Sequence, residues 1–533
     1  MATSALRLAA PPRPLLAQGT AGAETLVGRT TWLLLLFVSV YGLMSVFVDN
    51  LLVRSIKDVL MLVFAAVSIL YVLQKGSVLG ASLLALIGGM VVIGAFGVLT
   101  GIDVVVWVYG VKITILPLLL LFLGMYIAPR MHRGTLDRTY LVVFLLAIGG
   151  WTAQYLLGME RLMQMGFVYG VNIKHFADGM PRLSSIAFSP DNYAYLLAIS
   201  GLLLERSKML ANRPWLRLIV MVATGVFLML STIRSALVLW LVSQLCLFLL
   251  KVRGEGQGGL FWLALLLLAG PTVGTGLLLV LQERDLLSIG STLDRFSHWG
   301  DYLVSPISLF GMMGFGLGAV GAASKRTVAL GRENGSYAVD NQYLAIYEQI
   351  GTAGMLLMAV LTVVLMAKLL SNLRHADGAV PGSAVGLVGG HQTNKAVLPG
   401  IAARDMASVM PTQRAAESLH GRLGRQRTQQ RGATNSDLHI AHAEGSSPSR
   451  QADRSRETGG QPPAVETRHG NPAPAIQRNY IRQTELAIAL IAGGLFAGLT
   501  TNVLELFPYN VFLWLAIGSC LFRPEETQDE GGA

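Results

Sequence analysis

The chain has 533 residues, of which 53% are hydrophobic and only 14% carry a charged side chain. Soluble domains carry about a quarter charged residues, so this composition excludes a soluble globular protein and predicts an integral membrane protein. The net charge of +10 is spread between apolar segments, which fits orientation by positive loops better than nucleic-acid binding. Cys246 and Cys520 both lie in apolar runs, so neither a disulfide framework nor a thiolate metal site is expected.

Apolar stretches long enough to cross a bilayer predict an all-α bundle of about twelve transmembrane spans. Eleven spans remain an alternative, because the sixth is short and the last two are close together. Lys and Arg are concentrated in alternate loops, which predicts that both termini, 1–30 and 523–533, are cytoplasmic tails. No cleavable signal peptide is expected. The predicted spans are 31–48, 59–74, 78–99, 104–127, 139–157, 191–205, 217–232, 235–251, 260–282, 341–370, 483–502 and 508–522.

Three segments outside the membrane are long. An outer loop at 158–190 and a larger outer loop at 283–340 are separated by spans six to nine, 191–282. The third segment, 371–482, is rich in Gly, Ser, Pro, Gln and Arg and has 14 Lys or Arg against eight Asp or Glu. This composition predicts a disordered cytoplasmic insert, which can lie near anionic lipid head groups. Nucleic acid is not an expected partner, because no folded or aromatic element accompanies the charge.

The stretch 331–368 passes from a polar loop into an apolar helix with no turn signal between them. Asp340 and Asn341 lie at this junction, and Glu348 lies about 12 Å deeper along the helix. Lys112 lies at a similar depth in span four. Because a lone charge inside a membrane is costly, one hypothesis pairs Lys112 with Glu348. The other places Lys112 at the floor of a cavity, facing a lipid-linked phosphate.

Topology does not explain three outer arginines. Arg182 precedes span six, Arg234 lies between spans seven and eight, and Arg295 shares the large loop with Trp299. Such arginines either contact lipid head groups or form guanidinium forks for a diphosphate. The run 316–321 matches G-x-G-x-x-G, but no predicted strand precedes it, so we expect a flexible glycine turn that folds against the membrane surface. No His and carboxylate cluster has ligand spacing, so no metal is expected.

Several segments, in this order, resemble the superfamily of O-antigen ligases and polysaccharide polymerases, bacterial membrane glycosyltransferases that act on undecaprenyl-diphosphate-linked sugars. This chain departs from the family pattern at Asp191, Ile233 and Glu348. The ligases typically have His at the position of Asp340, so the acid favours a polymerase. The segments are RLSSIAFSPDNYA at 182–194, STIRSA at 231–236, Arg295 and Trp299 with 306–318, Asp340 to Gly354, and Thr500 to Asn502 with Pro508 and Trp514.

The resemblance implies an enzyme that polymerises lipid-linked oligosaccharide repeat units on the outer face of the bacterial inner membrane, without a metal or nucleotide cofactor. Asp340 would act as general base on the acceptor hydroxyl. Arg182, Arg234 and Arg295 would stabilise the charge of the departing diphosphate. The remaining predicted substrate-binding residues are Asn341, Lys112, Glu348 and the sugar-stacking candidate Trp299. Membrane lipid is an expected partner, and a chain-length regulator is a candidate partner of the insert.

Three other functions stay open. A ligase would transfer finished polymer to the lipid A core. A flippase or other transporter of lipid-linked oligosaccharides would show related halves around a midplane site, and no such repeat is seen in the sequence. A non-catalytic membrane scaffold would act through the insert, so its function would be lost when the insert is deleted.

Overall fold

The computed structural model describes residues 16–48, 51–126, 133–175, 179–255, 306–321, 324, 341–378 and 473–521. The chain divides into two compact units, Met1–Pro381 with Asn471–Ala533, and Gly382–Gly470. Every described residue belongs to the first unit, which is mostly helical. Predictions about span nine at 260–282, residues 379–472 of the insert and the tail at 523–533 fall outside the described residues.

The described residues of this unit form helices and one small two-stranded sheet. Two short strands, β1 (Ile173–His175) and β2 (Pro181–Leu183), pair antiparallel with Lys174 opposite Arg182. The helices are α1 (Leu16–Phe47), α2 (Leu51–Lys75), α3 (Val78–Leu99), α4 (Val104–Gly110), α5 (Leu116–Tyr126), α6 (Arg133–Leu157), α7 (Met159–Gln164), α8 (Pro190–Glu205), α9 (Lys208–Ala211), α10 (Pro214–Ser231), α11 (Arg234–Glu255), α12 (Leu309–Met313), α13 (Gln342–Gly378), α14 (Ala473–Ala497) and α15 (Tyr509–Gly518).

Eight helical stretches in the described part of the chain are long and apolar enough to cross a membrane. They lie in α1, α2, α3, α4 with α5, α6, α10, α11 and α13, and they coincide with eight of the twelve predicted spans. Large apolar side chains on their outer surfaces are exposed, including Val92 at 73% and Val363 at 65%. Such surfaces are expected where a helix contacts lipid. The prediction of a membrane-embedded helical bundle is confirmed, whereas the count of twelve spans stays a prediction.

Helix α8 lies at the centre of the bundle. It begins with Ser189 as N-cap and Pro190 in its first turn, where a missing N–H costs nothing. Fourteen of its 16 residues are buried, and it packs against α6, α10 and α11. The predicted sixth span, 191–205, is therefore a helix surrounded mostly by protein.

Contacts between the turns of the chain show which helix ends lie together, and they define two ends of the bundle. We call one end the mouth face, and it carries Arg182, the turn after α10 and the start of α13. The opposite face carries the start of α6 and helix α9, where the backbone N–H of Lys208 donates to Asp137 Oδ2 at 2.9 Å. Successive long helices run alternately between these two faces.

Some predicted boundaries are wrong. Residues 371–378 and 473–482, which fall within the predicted disordered insert, continue α13 and α14. They are helical because they pack together: Asn372 Nδ2 donates to Tyr480 Oη at 2.8 Å, and Gln477 Nε2 donates to the Ala376 carbonyl at 2.8 Å. Helix α1 likewise begins inside the predicted tail, at Leu16. The small β1–β2 sheet is an exception to the predicted all-α class.

Candidate functional site at the mouth face

Arg182 is bound to the two-residue turn that leads into Arg234. Its Nε donates to Thr232 Oγ1 at 2.7 Å, and its Nη2 donates to the Thr232 carbonyl at 3.1 Å. Thr232 ends α10, and Arg234 begins α11 two residues later. Two of the arginines predicted to bind a diphosphate are therefore attached to a single turn, although 52 positions separate them in the chain.

Thr232 has a left-handed backbone, with φ 59° and ψ 15°. This conformation is strained for a β-branched residue. The two hydrogen bonds from Arg182 hold the turn in this geometry, and such strain persists only where its surroundings impose it. Arg182 thus has a structural role in addition to the charge it brings to this face.

The loop that carries Arg182 into α8 is fixed by α6. Ser185, which has φ 53°, is held by a pair of amide contacts with Gln154: Ser185 N donates to Gln154 Oε1, and Gln154 Nε2 donates to the Ser185 carbonyl, both at 2.8 Å. Ser185 Oγ also donates to the Ala147 carbonyl at 2.6 Å. The segment 182–194 is therefore a fixed part of the mouth face.

At the mouth face, the start of α11 and the end of α14 meet around Tyr195. This fully buried side chain lies beside the hydroxyl groups of Ser235 and Thr501, although no hydrogen bond from its hydroxyl is formed within the described residues. Its ring packs edge-to-face on that of Tyr509, with 5.3 Å between centroids. The segments 231–236 and 500–502, both singled out in the sequence, are thus neighbours.

Asn341 caps α13. Its Oδ1 accepts hydrogen bonds from the N–H groups of Tyr343 at 2.9 Å and Leu344 at 3.1 Å, while its Nδ2 donates to the Leu499 carbonyl at 3.2 Å. The side chain of Asn341 is thereby occupied with fixing the start of the helix against the end of α14. Asp340, the predicted base, is the next residue toward the N-terminus and lies outside the described residues.

Lys112 forms an ion pair with Asp58, at 2.5 Å between Nζ and Oδ2. Lys57 lies 3.5 Å from the same carboxylate and over the rings of Tyr41 and Phe507. The hypothesis that Lys112 pairs with Glu348 is therefore wrong. Two side chains at equal depth in the membrane need not face each other across their helices. Sequence reasoning misses Asp58 because this residue lies just outside the predicted second span.

Glu348 lies beside a break in α13. Its side chain is 6% exposed and makes no hydrogen bond or ion pair with any of the described residues. Three residues later, Gly351 has φ 63° and ψ −169°, which interrupts the helix. The carbonyl groups freed by this break are bound by the loop after α12: Phe315 N donates to the Glu348 carbonyl at 2.7 Å, and Gly316 N donates to the Gln349 carbonyl at 2.9 Å.

The glycine-rich run 316–321 fills the space between α3, α4 and α13. Gly316 and Gly318 have positive φ and lie so close to Gly97 and Val106 that a side chain at either would clash with their backbone. The expectation that this run folds against the membrane surface is wrong. Its glycines allow two backbones to approach inside the bundle.

Three irregular turns meet below the mouth face, at the depth of the 316–321 run. They are the π-helical turn Val111–Ile115 between α4 and α5, the break in α13, and the 3₁₀ turn Val503–Glu505. Gln349, beside the break in α13, bonds to the glycine-rich run and to the 3₁₀ turn: its Oε1 accepts from Gly318 N at 3.1 Å, and its Nε2 donates to Glu505 Oε1 at 3.3 Å. Irregular backbone at membrane depth must be satisfied by protein, and Gln349 satisfies one such group, the N–H of Gly318.

The structure therefore brings together some predicted site residues and separates others. Arg182, Arg234 and Asn341 lie at the mouth face, whereas Lys112 and Glu348 lie deeper. Arg295 and Trp299 lie outside the described residues. No group of three or more His, Cys, Asp or Glu side chains suited to a metal ion occurs among the residues whose positions are described.

Sequence reasoning missed the roles of Thr232, Lys57 and Gln349. Lys57 carried a usable signal, since its charge in an outer hairpin opposed the positive-inside pattern. The other two are ordinary polar residues whose role depends on a tertiary partner.

A comparison with protein-family models and with curated proteins finds no match for this chain.

Proposed function

We propose that this protein is a membrane glycosyltransferase of the polysaccharide polymerase type. It joins undecaprenyl-diphosphate-linked oligosaccharide repeat units on the outer face of the bacterial inner membrane, and the mouth face is its outer face. The proposal starts from the resemblance of the motifs, and the geometry of the mouth face supports it.

The observation that supports it most is the convergence of these motifs. Arg182 is bonded to Thr232 of the second motif. Ser235 of that motif and Thr501 of the closing motif both lie beside Tyr195. Asn341 of the span-ten motif is bonded to Leu499, immediately before the closing motif. Four segments that are distant in sequence thus lie together at one end of the bundle, as a site for a single substrate requires.

The chemical step needs two functions from this surface. The acceptor hydroxyl attacks the anomeric carbon of the lipid-linked sugar, a new glycosidic bond forms, and the bond from that carbon to the diphosphate oxygen breaks. Asp340 takes the proton of the hydroxyl. Arg182, Arg234 and Arg295 neutralise the negative charge that passes to the diphosphate. No nucleotide is needed, because the diphosphate is already a good leaving group.

The experiment that tests the proposal is the analysis of surface glycans and lipid-linked sugars in a strain lacking the gene. Loss of long polymer with single repeat units on the outer leaflet is the expected result. Complete polymer stranded on its lipid carrier would instead assign a ligase. Repeat units confined to the cytoplasmic leaflet would assign a transporter and overturn the proposal.

Complementation of that strain tests the catalytic base. Asp340→Asn should abolish polymer while the amount of protein in the membrane is unchanged. Asp103→Asn is the matched control, because Asp103 caps α4 through its Oδ1 on Val105 N at 2.9 Å and asparagine retains that function. Normal polymer length and yield with Asp340→Asn would disprove the role of Asp340.

A further inference from the structure

An apolar groove runs down the bundle from the start of α13. It has a volume of about 330 Å³ and is lined by side chains of α13, α14 and α15. On α13 its lining extends from Gln342 to Val363, which is about 30 Å of helix. The hydrocarbon core of a bilayer is about 30 Å thick, so the groove is long enough for an extended chain.

The groove is open toward the membrane. Val363 and Leu495, which both line it, have exposed side chains on the lipid-facing surface. Its other lining residues include Met355 and Met358, whose flexible side chains adapt to irregular apolar shapes. A hydrophobic chain can therefore enter sideways from the bilayer.

A buried polar atom lies at the mouth end of this apolar lining. Gln342 is 7% exposed, and its Oε1 has no hydrogen-bond partner among the described residues. Buried polar atoms are nearly always paired, and bilayer hydrocarbon offers no partner. An amide oxygen only accepts hydrogen bonds, so it cannot bind an ionised phosphate oxygen but can accept from a sugar hydroxyl. The missing partner thus indicates a ligand with a polar head at this end.

The volume suits one chain. An engineered cavity of about 150 Å³ holds a single benzene molecule, so this groove has room for roughly twice that amount of hydrocarbon. Two acyl chains of a phospholipid would need more space side by side. A polyprenyl phosphate carries a single chain on its phosphate.

We propose that this groove binds the head-proximal part of the polyprenyl chain of a lipid-linked substrate, with Gln342 Oε1 accepting a hydrogen bond from a hydroxyl group of the first sugar. This inference rests on the proposed function and adds to it a binding site for the lipid. It places the first sugar beside Asn341, one residue from Asp340.

The test uses the full chain in phospholipid nanodiscs and an undecaprenyl phosphate with a diazirine within the head-proximal part of its polyprenyl chain. After illumination, mass spectrometry should find the label on α13 near Met355 and Met358 and on Leu490–Leu495 of α14. Ala359→Phe fills the groove and should lower this labelling about tenfold, equivalent to about 1.4 kcal/mol of binding free energy. Val360→Phe is the control, because Val360 is 46% exposed and does not line the groove.

A second variant keeps the test decisive if Ala359→Phe does not fold. A Cβ added at Gly494 would lie 3.7 Å from Tyr509 Oη, an ordinary van der Waals distance. Gly494→Ala therefore adds a methyl group to the groove without a backbone clash and should also lower labelling. Equal labelling in all variants would overturn the proposal. So would equal labelling of the same residues by a diazirine phospholipid, which would make an ordinary membrane lipid the occupant.

The outcome separates this inference from the proposed function. If groove labelling is absent while Asp340-dependent polymer is made, the groove proposal fails and the glycosyltransferase stands. If labelling follows the groove variants while the deletion strain still makes polymer, the lipid site stands and the polymerase assignment fails.

Discussion

At the scale of single residues, Arg182 and Thr232 show how an arginine proposed to bind the substrate can also stabilise the fold. Arg182→Lys keeps the positive charge but cannot make both contacts with Thr232, because only the guanidinium presents two donors in a fixed fork. We expect the protein to lose about 1–3 kcal/mol of stability and polymer to be lost. Thermal unfolding in detergent and glycan electrophoresis measure these effects.

The control for Arg182→Lys is Arg161→Lys, on the exposed surface of α7 at the same face. Arg161→Lys should leave both the thermal unfolding of the protein and the amount of polymer unchanged. Full polymer from Arg182→Lys together with lower thermal stability would mean that Arg182 only holds the turn.

Asp58 lies between two lysine side chains, so replacing Asp58 and replacing one of the lysines should change the stability of the protein by different amounts. Lys112→Met leaves the Lys57–Asp58 contact in place, whereas Asp58→Asn leaves two like charges side by side in the membrane. We therefore expect Asp58→Asn to destabilise the protein by about 1–3 kcal/mol more than Lys112→Met. Melting temperatures of the two variants decide this, with exposed Glu160→Gln as a control. Equal destabilisation by the two substitutions would show that the contact between Lys57 and Asp58 does not compensate for the loss of Lys112.

At the scale of elements, the break in α13 depends on one glycine. A Cβ on Gly351 would clash with the carbonyl oxygen of Met312, and its φ of 63° is unfavourable for other residues. Gly351→Ala should separate the 314–321 loop from α13, with a cost of about 2 kcal/mol or more. Gly88→Ala in α3, where a Cβ meets nothing within 4 Å, should be neutral or slightly stabilising.

Protease digestion of the two glycine variants checks this prediction. Faster cleavage within 306–321 in Gly351→Ala than in Gly88→Ala is the expected result. Identical cleavage and identical melting temperatures would show that the helix break tolerates a side chain.

The elements that sequence predicts well are those set by hydrophobic length. Spans such as 78–99 match their helices because a continuous apolar run fixes both ends. The break at Gly351 was not predictable, since an isolated glycine inside an apolar helix is usually tolerated. It exists because the 314–321 loop binds the carbonyl groups of Glu348 and Gln349. The candidate site followed the same division: motifs identified Arg182 and Arg234, while tertiary contacts decided the partner of Lys112.

At the scale of the whole molecule, the proposed function requires one orientation in the membrane. The opposite face carries Arg206, Lys208 and Arg213 around α9, and loops with many Lys and Arg are cytoplasmic. This charge pattern predicts that the mouth face is extracytoplasmic, where flipped lipid-linked sugars are found. Orientation therefore connects the charge pattern of the chain to its chemistry.

Cysteine labelling in intact cells tests this orientation. Glu160→Cys on α7 and Asn212→Cys after α9 are exposed positions on the mouth face and the opposite face, respectively. In a background lacking Cys246 and Cys520, a membrane-impermeant maleimide should label Glu160→Cys in whole cells and Asn212→Cys only after lysis. The reverse pattern would put Arg182, Arg234 and the start of α13 in the cytoplasm. In that case an outer-face polymerase is excluded whatever the glycan phenotype, because the arginines could not meet a flipped diphosphate.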